Sequence, residues 1–304
     1  MAPLLPLLLL LAVMNAPGWA QRFYGGTLTV SPKWGSPNGT YQVELRNRHT
    51  TQYCYVNPWV CLYGNCGSTL RSTTGKIAWE SYGLNWCLKE TSSSLQLTGN
   101  LPFAVRFPRY STSSYGKWVS NPRGHGIPYR MMAHVDLGTR SDTRRPNRPP
   151  VSTMLPIVRV TRNCPRTFNL NVFDPDGDRV RCRIPTSSST YECNLCGPQQ
   201  DFSLDEGSCS LTYSGSHRYG NRPIELVVED FPTEPIRLSY SDGSYTNKQP
   251  FSAARRRRQA FVTEVPSAGP GTTGTQDQMM DQVQPAPQVQ LLDQVQPAPQ
   301  VQLR

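Results

Sequence analysis

Nine cysteines behind an apolar leader constrain this chain more than any other feature. Residues 2–13 form an apolar run that is too short to span the hydrocarbon core of a bilayer. Gly18 and Ala20 place small residues where a signal peptidase inspects them, so we predict a signal peptide over residues 1–20. We predict no membrane span after it. A secreted, extracellular chain meets oxidising conditions, in which its thiols pair as disulfides.

The composition favours strands over long helices. Proline (28 residues) and glycine (23 residues) are frequent, and hydrophobic residues make up only 37% of the chain. We therefore predict an all-β fold. The formal net charge is +10. The polyanions available to a secreted protein are sulfated glycans, so we expect extracellular proteins or sulfated glycans as partners and no nucleic acid. A solvated basic surface with a protease site is the simpler interpretation of the same charge.

Changes in composition divide the chain into six segments. Residues 139–150 contain no apolar side chain other than prolines, and the basic run Arg255–Arg258 precedes an abrupt change in composition. After the signal peptide at 1–20 we predict an N-terminal disulfide-bonded β domain at 21–138, a linker at 139–150, a β-sandwich at 151–242, a linker ending in a basic cleavage site at 243–258, and a disordered Pro/Gln-rich repeat tail at 259–304.

Alternating apolar and polar residues predict strands in both β domains. Thr27–Val30 and Tyr41–Leu45 alternate, and the Asn-Gly pair between them is typical of a hairpin turn. Asn38, at this turn, is also the asparagine of an N-glycosylation sequon. Short strands spaced by turn residues follow from Leu155 to Tyr240, a spacing that is typical of a Greek-key sandwich.

The cysteines divide four and five between the two β domains, and spacing leaves their pairing open. The total is odd, so at least one lacks an intrachain partner, and a disulfide-linked homodimer is expected. Cys193 and Cys196 could form a redox dithiol or half of a zinc site, but a structural disulfide loop is the simpler interpretation. All nine are disulfide candidates: Cys54, Cys61, Cys66, Cys87, Cys164, Cys182, Cys193, Cys196 and Cys209.

Three carboxylates alternate along one short loop. Asp174, Asp176 and Asp178 are oxygen ligands of the kind that calcium prefers, and Glu229 and Asp230 are available to complete such a site. A tight turn explains the same residues, because Asp and Gly favour turns for backbone reasons alone. Calcium is the one cofactor for which the sequence offers candidate ligands, and we predict no other.

The segments 171–183, 202–213 and 224–230 together resemble the cadherin-like and immunoglobulin-like extracellular repeat. The resemblance covers residues 155–242 and implies a seven-stranded sandwich, an adhesive or matrix role and, in some members, calcium between domains. With residues 135–143 and 173–178 considered together, the chain is similar to a group of large secreted multi-domain proteins of fishes.

Two features of the C-terminal part predict processing. The run ending at Arg258 fits a proprotein convertase site, with a solvated charge run as the alternative. Residues 281–292 recur almost unchanged as residues 293–304, and their prolines and glutamines predict disorder. The exposed glutamines could serve as acyl donors for transglutaminase, or the repeat could be a spacer that arose by duplication.

No catalytic constellation is evident, because the four histidines His49, His125, His134 and His217 lie in no catalytic signature. We therefore predict a secreted structural or adhesive extracellular glycoprotein, a component of matrix, egg coat or mucus that acts by binding and assembly. One alternative is a precursor that releases a bioactive or crosslinkable peptide after Arg258. A further alternative is a sulfated-glycan-binding module.

Overall fold

The computed structural model describes residues 22–33, 40–54, 58–80, 86–109, 116–119, 126–186, 192–216 and 220–251, with the strand residues 295–297 and 302–303. None of these residues is helical, which confirms the predicted all-β class. All of them belong to one compact unit. The described residues form four hydrophobic clusters, of which the two larger serve as cores, one in the N-terminal region and one in a second region that begins with residue 139.

The N-terminal region contains a five-stranded and a three-stranded sheet. The strand order is β4-β5-β2-β1-β7 in the first sheet and β3-β6-β8 in the second. The strands are β1 (Arg22–Lys33), β2 (Tyr41–Thr51), β3 (Val60–Tyr63), β4 (Ser68–Glu80), β5 (Trp86–Leu97), β6 (Phe103–Phe107), β7 (Lys117–Trp118) and β8 (Met131–Val135).

The predicted β1–β2 hairpin forms an antiparallel pair in which Val30 lies opposite Leu45. Its turn, with Asn38, lies outside the described residues. Alternation along β1 and β2 directs one row of side chains to the three-stranded sheet, because successive residues of a strand face opposite sides. Together with residues of β6 and β8 they form the first core, in which Phe23 stacks on Tyr129 at 3.7 Å between ring centroids.

The second region is built from shorter strands, beginning with β9 (Thr139–Arg140), which pairs with a later strand of this region. The others in sheets of three are β12 (Arg166–Asn169), β14 (Arg179–Arg183), β15 (Phe202–Asp205), β16 (Ser210–Tyr213), β17 (Val227–Phe231), β18 (Ile236–Ser239), β19 (Tyr245–Lys248) and β20 (Val295–Pro297). These sheets have the orders β12-β16-β15, β14-β17-β20 and β19-β18-β9. Two further pairs join β10 (Val151–Ser152) to β13 (Val172–Phe173), and β11 (Arg159–Val160) to β21 (Gln302–Leu303). Greek-key connectivity stays a prediction.

The second core is small and surrounds a disulfide. Cys182 on β14 is bonded to Cys209, just before β16, and both side chains are buried among aliphatic residues such as Leu170 and Leu211. The fully buried residues of this core include no aromatic side chain; the buried Tyr213 lies in a separate small cluster with Val160. Covalent and ionic contacts therefore supplement the burial of apolar surface in this region.

The segment predicted to be a linker, 139–150, is part of the fold. Its first residues form β9, which pairs with β18, and Arg140 and Asn147 are buried. The absence of apolar residues was misleading, because Arg140 is buried against carboxylates instead of aliphatic groups. The second predicted linker, 243–258, likewise contains β19. Within the tail predicted to be disordered, the backbone of β20 lies beside β17 and that of β21 beside β11.

Candidate functional site: a buried arginine cluster and an exposed basic groove

The loop that follows β13 is a turn organised by Asp174. The Asp174 Oδ1 atom accepts hydrogen bonds from the backbone N–H groups of Asp176 (2.7 Å) and Asp178 (3.1 Å). Gly177 has a φ of 85°, a conformation that favours glycine, and its N–H group donates to the Asp174 carbonyl oxygen at 3.2 Å. These contacts are those of a tight turn.

The Asp178 carboxylate lies against the guanidinium group of Arg140. The two groups form a bidentate pair with N···O distances of 2.5 and 2.8 Å. Arg140 also donates two hydrogen bonds to Asp142 (3.0 and 2.8 Å) and one to Asn147 Oδ1 (2.7 Å). All five N–H bonds of a side chain that is only 2% exposed are therefore used. We call these four residues the Arg140 cluster.

The remaining two carboxylates of the loop differ in their partners. Asp176 accepts hydrogen bonds from the backbone N–H and the Nε–H of Arg148, both at 2.7 Å. Asp174 has no arginine partner of this kind among the described residues, and burial raises its pKa to about 6 against the two backbone N–H groups that lower it. Nothing in the sequence indicated that Arg140 and Arg148 pair with carboxylates of this loop, although both arginines lie in the arginine-rich segment 139–150.

The positive charges beside Asp176 and Asp178 are thus arginine side chains, with which these carboxylates form ion pairs. Glu229, the extra ligand considered for calcium, accepts a hydrogen bond from Arg183 Nε at 2.7 Å. Among the described residues, no group of three or more His, Cys, Asp or Glu side chains is arranged to hold a metal ion. Calcium binding at Asp174, Asp176 and Asp178 stays a prediction.

The structure places all nine cysteines, and it pairs eight of them. The disulfides are Cys54–Cys87, Cys61–Cys66, Cys182–Cys209 and Cys193–Cys196. Cys164, the remaining disulfide candidate, is exposed and has no disulfide partner within this chain. Each disulfide joins two cysteines of the same half of the chain. Since eight cysteines are paired, the odd cysteine that the count predicted is Cys164. The disulfide-linked homodimer stays a prediction.

The Cys193–Cys196 disulfide closes a loop that docks on the first core. Leu195, inside this loop, is buried among the side chains of that core. The Glu225 carboxylate holds the loop, because its Oε2 accepts hydrogen bonds from the backbone N–H groups of Asn194 (2.9 Å) and Leu195 (3.0 Å). The structure therefore agrees with a structural disulfide loop at this Cys-x-x-Cys motif.

Glu225 also contacts the N-terminal region directly. Its Oε1 accepts a hydrogen bond from Trp118 Nε1 at 2.9 Å, and burial raises its pKa to about 7. Sequence reasoning missed this residue, since a single Glu in a strand-like segment gives no signal of burial. Glu225 joins the two regions and is buried beneath the loop, which indicates a structural role.

An open groove, which we call the basic groove, lies along β9 and β18 and has a volume of about 580 Å3. Arg144 and Arg237 line it, both are exposed, and neither forms an ion pair with a described residue. The Arg237 guanidinium group lies 4.4 Å from the centroid of the Tyr245 ring. Polar side chains complete the lining, including Ser141, Asn247 and Gln249.

More basic side chains lie close by. A cavity of about 30 Å3 is lined by Lys33, Arg145 and Arg148 together with two prolines. Arg145 directly follows Arg144 in the chain, so the two sites share one stretch of the molecule. The segment 139–150 thus provides a buried arginine for the fold and exposed arginines for the surface.

Comparisons of this chain with protein-family models, curated proteins and solved structures gave no match. The resemblance to cadherin-like and immunoglobulin-like repeats therefore stays a prediction. None of the described segments is a helix with the length and apolarity that crossing a bilayer requires. Ala20, Asn38 and Arg258 lie outside the described residues, so leader removal, glycosylation and release of a C-terminal peptide also stay predictions.

Proposed function

We propose that this protein is a secreted structural or adhesive glycoprotein of the extracellular space, which acts by binding and assembly rather than by catalysis. The observation that carries the proposal is the division of its arginines into two sets. Arg140 is buried and neutralised by the carboxylates of its cluster, whereas Arg144 and Arg237 are exposed in the basic groove and form no ion pair with a described residue. Four disulfides suit such a protein to an oxidising compartment.

The groove is chemically suited to a sulfated glycan. Guanidinium groups bind sulfate through two parallel N–H···O hydrogen bonds, and they keep their charge at every physiological pH. Ser141, Asn247 and Gln249 offer hydrogen bonds to the hydroxyl groups of a sugar chain. Sulfated glycans are abundant in matrix, egg coats and mucus, so a groove of this kind would hold the protein in such a material.

Retention on immobilised heparin tests the proposal, with Arg144→Gln/Arg237→Gln compared with Arg71→Gln/Arg162→Gln. Both double variants lose two exposed positive charges, but only the first alters the basic groove. We expect the groove variant to elute at clearly lower salt, with the slope of log affinity against log salt reduced by roughly 1 to 2, as for other polyanions. The control should elute near the wild type.

Two results would contradict the proposal. Equal shifts for both double variants would mean that heparin responds to net charge and not to the groove. Elution of the wild type below about 0.15 M salt would mean that the protein does not bind sulfated glycans under physiological conditions.

A further inference from the structure

A second cleft lies where the five-stranded sheet extends beyond the sheet that covers it. One row of side chains on its inner face runs from Leu28 on β1 through Asn47 on β2 and Thr91 on β5 to Thr74 on β4. This row changes from apolar to hydroxylated along its length. The apolar end belongs to the first core, and the hydroxylated end lies on β4 and β5 beyond it.

The neighbouring row follows the same plan, from Val30 and Leu45 to Ser93 and Ser72. Pro58 and Trp59, which precede β3, and Phe107, at the end of β6, form the opposite wall. The space between them is about 230 Å3. We call it the hydroxyl cleft, and it lies in the N-terminal region, whereas the basic groove lies along β9 and β18.

The cleft offers hydrogen-bonding groups that its own residues do not use fully. Ser72 and Ser93 share one hydrogen bond at 2.9 Å, and Thr74 and Thr91 share one at 3.0 Å. A hydroxyl group has one O–H donor and two lone pairs. Each of these two hydrogen bonds uses only one of the two O–H groups, so the other O–H group is not used in that bond. The two hydroxyl pairs line the cleft from adjacent rows.

Asn47 supplies an independent sign of a missing partner. Asn47 is 6% exposed and lines the cleft, and its Oδ1 atom has no hydrogen-bond partner among the described residues. A buried acceptor left unsatisfied destabilises the folded state. A ligand that donates an O–H group at this point would satisfy it.

We propose that the hydroxyl cleft binds a neutral saccharide unit. The described residues that line it carry no charge, so they do not select for sulfate or carboxylate. Donors and an acceptor beside the half-buried indole of Trp59 match a sugar ring, which has hydroxyl groups at its edge and C–H groups on its face. The volume is below the roughly 300–1,000 Å3 of pockets for drug-sized ligands, which suits one terminal sugar.

The inference goes beyond the proposed function, since its ligand class and its residues differ from those of the basic groove. A test on the full chain uses an array of neutral oligosaccharides that end in galactose, mannose, fucose or N-acetylhexosamines, with sulfated counterparts. Tryptophan fluorescence titration with the best monosaccharide follows. The variant is Thr74→Arg, which fills the cleft, and the control is Thr73→Arg, on the opposite face of the same strand.

We expect a neutral sugar to bind, with affinity reduced about tenfold or more in Thr74→Arg and within about twofold of wild type in Thr73→Arg. Binding should not change with salt, because no ion pair is involved. If Thr74→Arg fails to fold, Thr74→Val removes the hydroxyl group alone and is expected to weaken binding several-fold.

Three outcomes would overturn the inference. The first is that no neutral saccharide binds, and the second is equal binding by the Thr74 and Thr73 variants. The third is binding of sulfated glycans alone, lost in Arg144→Gln/Arg237→Gln, which would leave the proposed function intact. A wild-type protein that binds a neutral sugar but is not retained on heparin would contradict the proposed function and leave this inference intact.

Discussion

The two regions of this molecule are stabilised differently. The N-terminal region contains four strands of 11 to 13 residues and a core of aromatic and aliphatic side chains. The second region has no described strand longer than five residues, and charged groups are buried beside its small core. Arg183, for example, donates hydrogen bonds to both Glu192 and Glu229.

This difference shows how a region with little apolar surface can still adopt one structure. Burial of apolar surface contributes about 25 cal/mol per Å2 whichever apolar group is in contact, so a large core tolerates exchanges between apolar residues of similar volume. A buried ion pair depends on a particular partner, and removal of one member leaves an uncompensated charge. We therefore expect the second region to be the more sensitive to single substitutions.

The largest effect is expected for Arg140→Met. The substitution keeps a long side chain but leaves Asp178 and Asp142 without their cation, so we expect the free energy of unfolding to fall by about 3–5 kcal/mol. Urea denaturation with the disulfides intact measures this. The matched control, Arg144→Met, alters an exposed arginine four residues away and should stay within about 0.5 kcal/mol of wild type. Equal effects would show that the buried ion pairs of Arg140 do not make the second region sensitive to substitution.

A smaller effect separates two disulfides. Cys182–Cys209 closes 27 residues inside the second core, and Cys61–Cys66 closes five in the N-terminal region. Chain entropy then predicts losses of about 3–4 kcal/mol for Cys182→Ala/Cys209→Ala and about 2 kcal/mol for Cys61→Ala/Cys66→Ala. Thermal unfolding of the two double variants under identical conditions provides the comparison. A larger loss from the short loop would contradict this ranking.

The smallest effect is a pH dependence of opposite sign in the two regions. Burial raises the pKa of Asp174 to about 6 and lowers the pKa of His134 to about 4. From about pH 4 to 6 the folded state holds a proton on Asp174 that the unfolded state has released, so this residue lowers stability as pH rises. From about pH 4 to 6.5 the unfolded state protonates His134 and the folded state does not, so this residue raises stability as pH rises.

Each contribution has a slope of at most about 1.4 kcal/mol per pH unit, and the two oppose each other in the wild type. Asp174→Asn should therefore make stability rise more steeply between about pH 4 and 6, and His134→Asn should make it rise less or fall. Urea midpoints of the wild type and both variants, measured across this pH range, would show whether the pH dependence of stability changes in opposite directions. Parallel changes in both variants would show that the two groups do not titrate in this way.

Several features could be predicted from the sequence because they depend on neighbours along the chain. The alternation in Thr27–Val30 and Tyr41–Leu45 identified β1 and β2, and the odd number of cysteines implied a thiol without an intrachain partner. The segment 139–150 was misjudged, because no local pattern shows that Arg140 meets Asp178, 38 residues away. The docking of Leu195 on the first core was missed for the same reason.

The sequence alone determined the strand-rich class, the parity of the cysteines and the excess of arginine, since each follows from residue type and spacing. Only the tertiary structure decided which arginines are buried and which are exposed, and where a hydroxylated sheet edge meets Trp59 to form a cleft. The reason is physical: the free energy of a buried charge or an unsatisfied acceptor depends on groups that folding brings from distant parts of the chain.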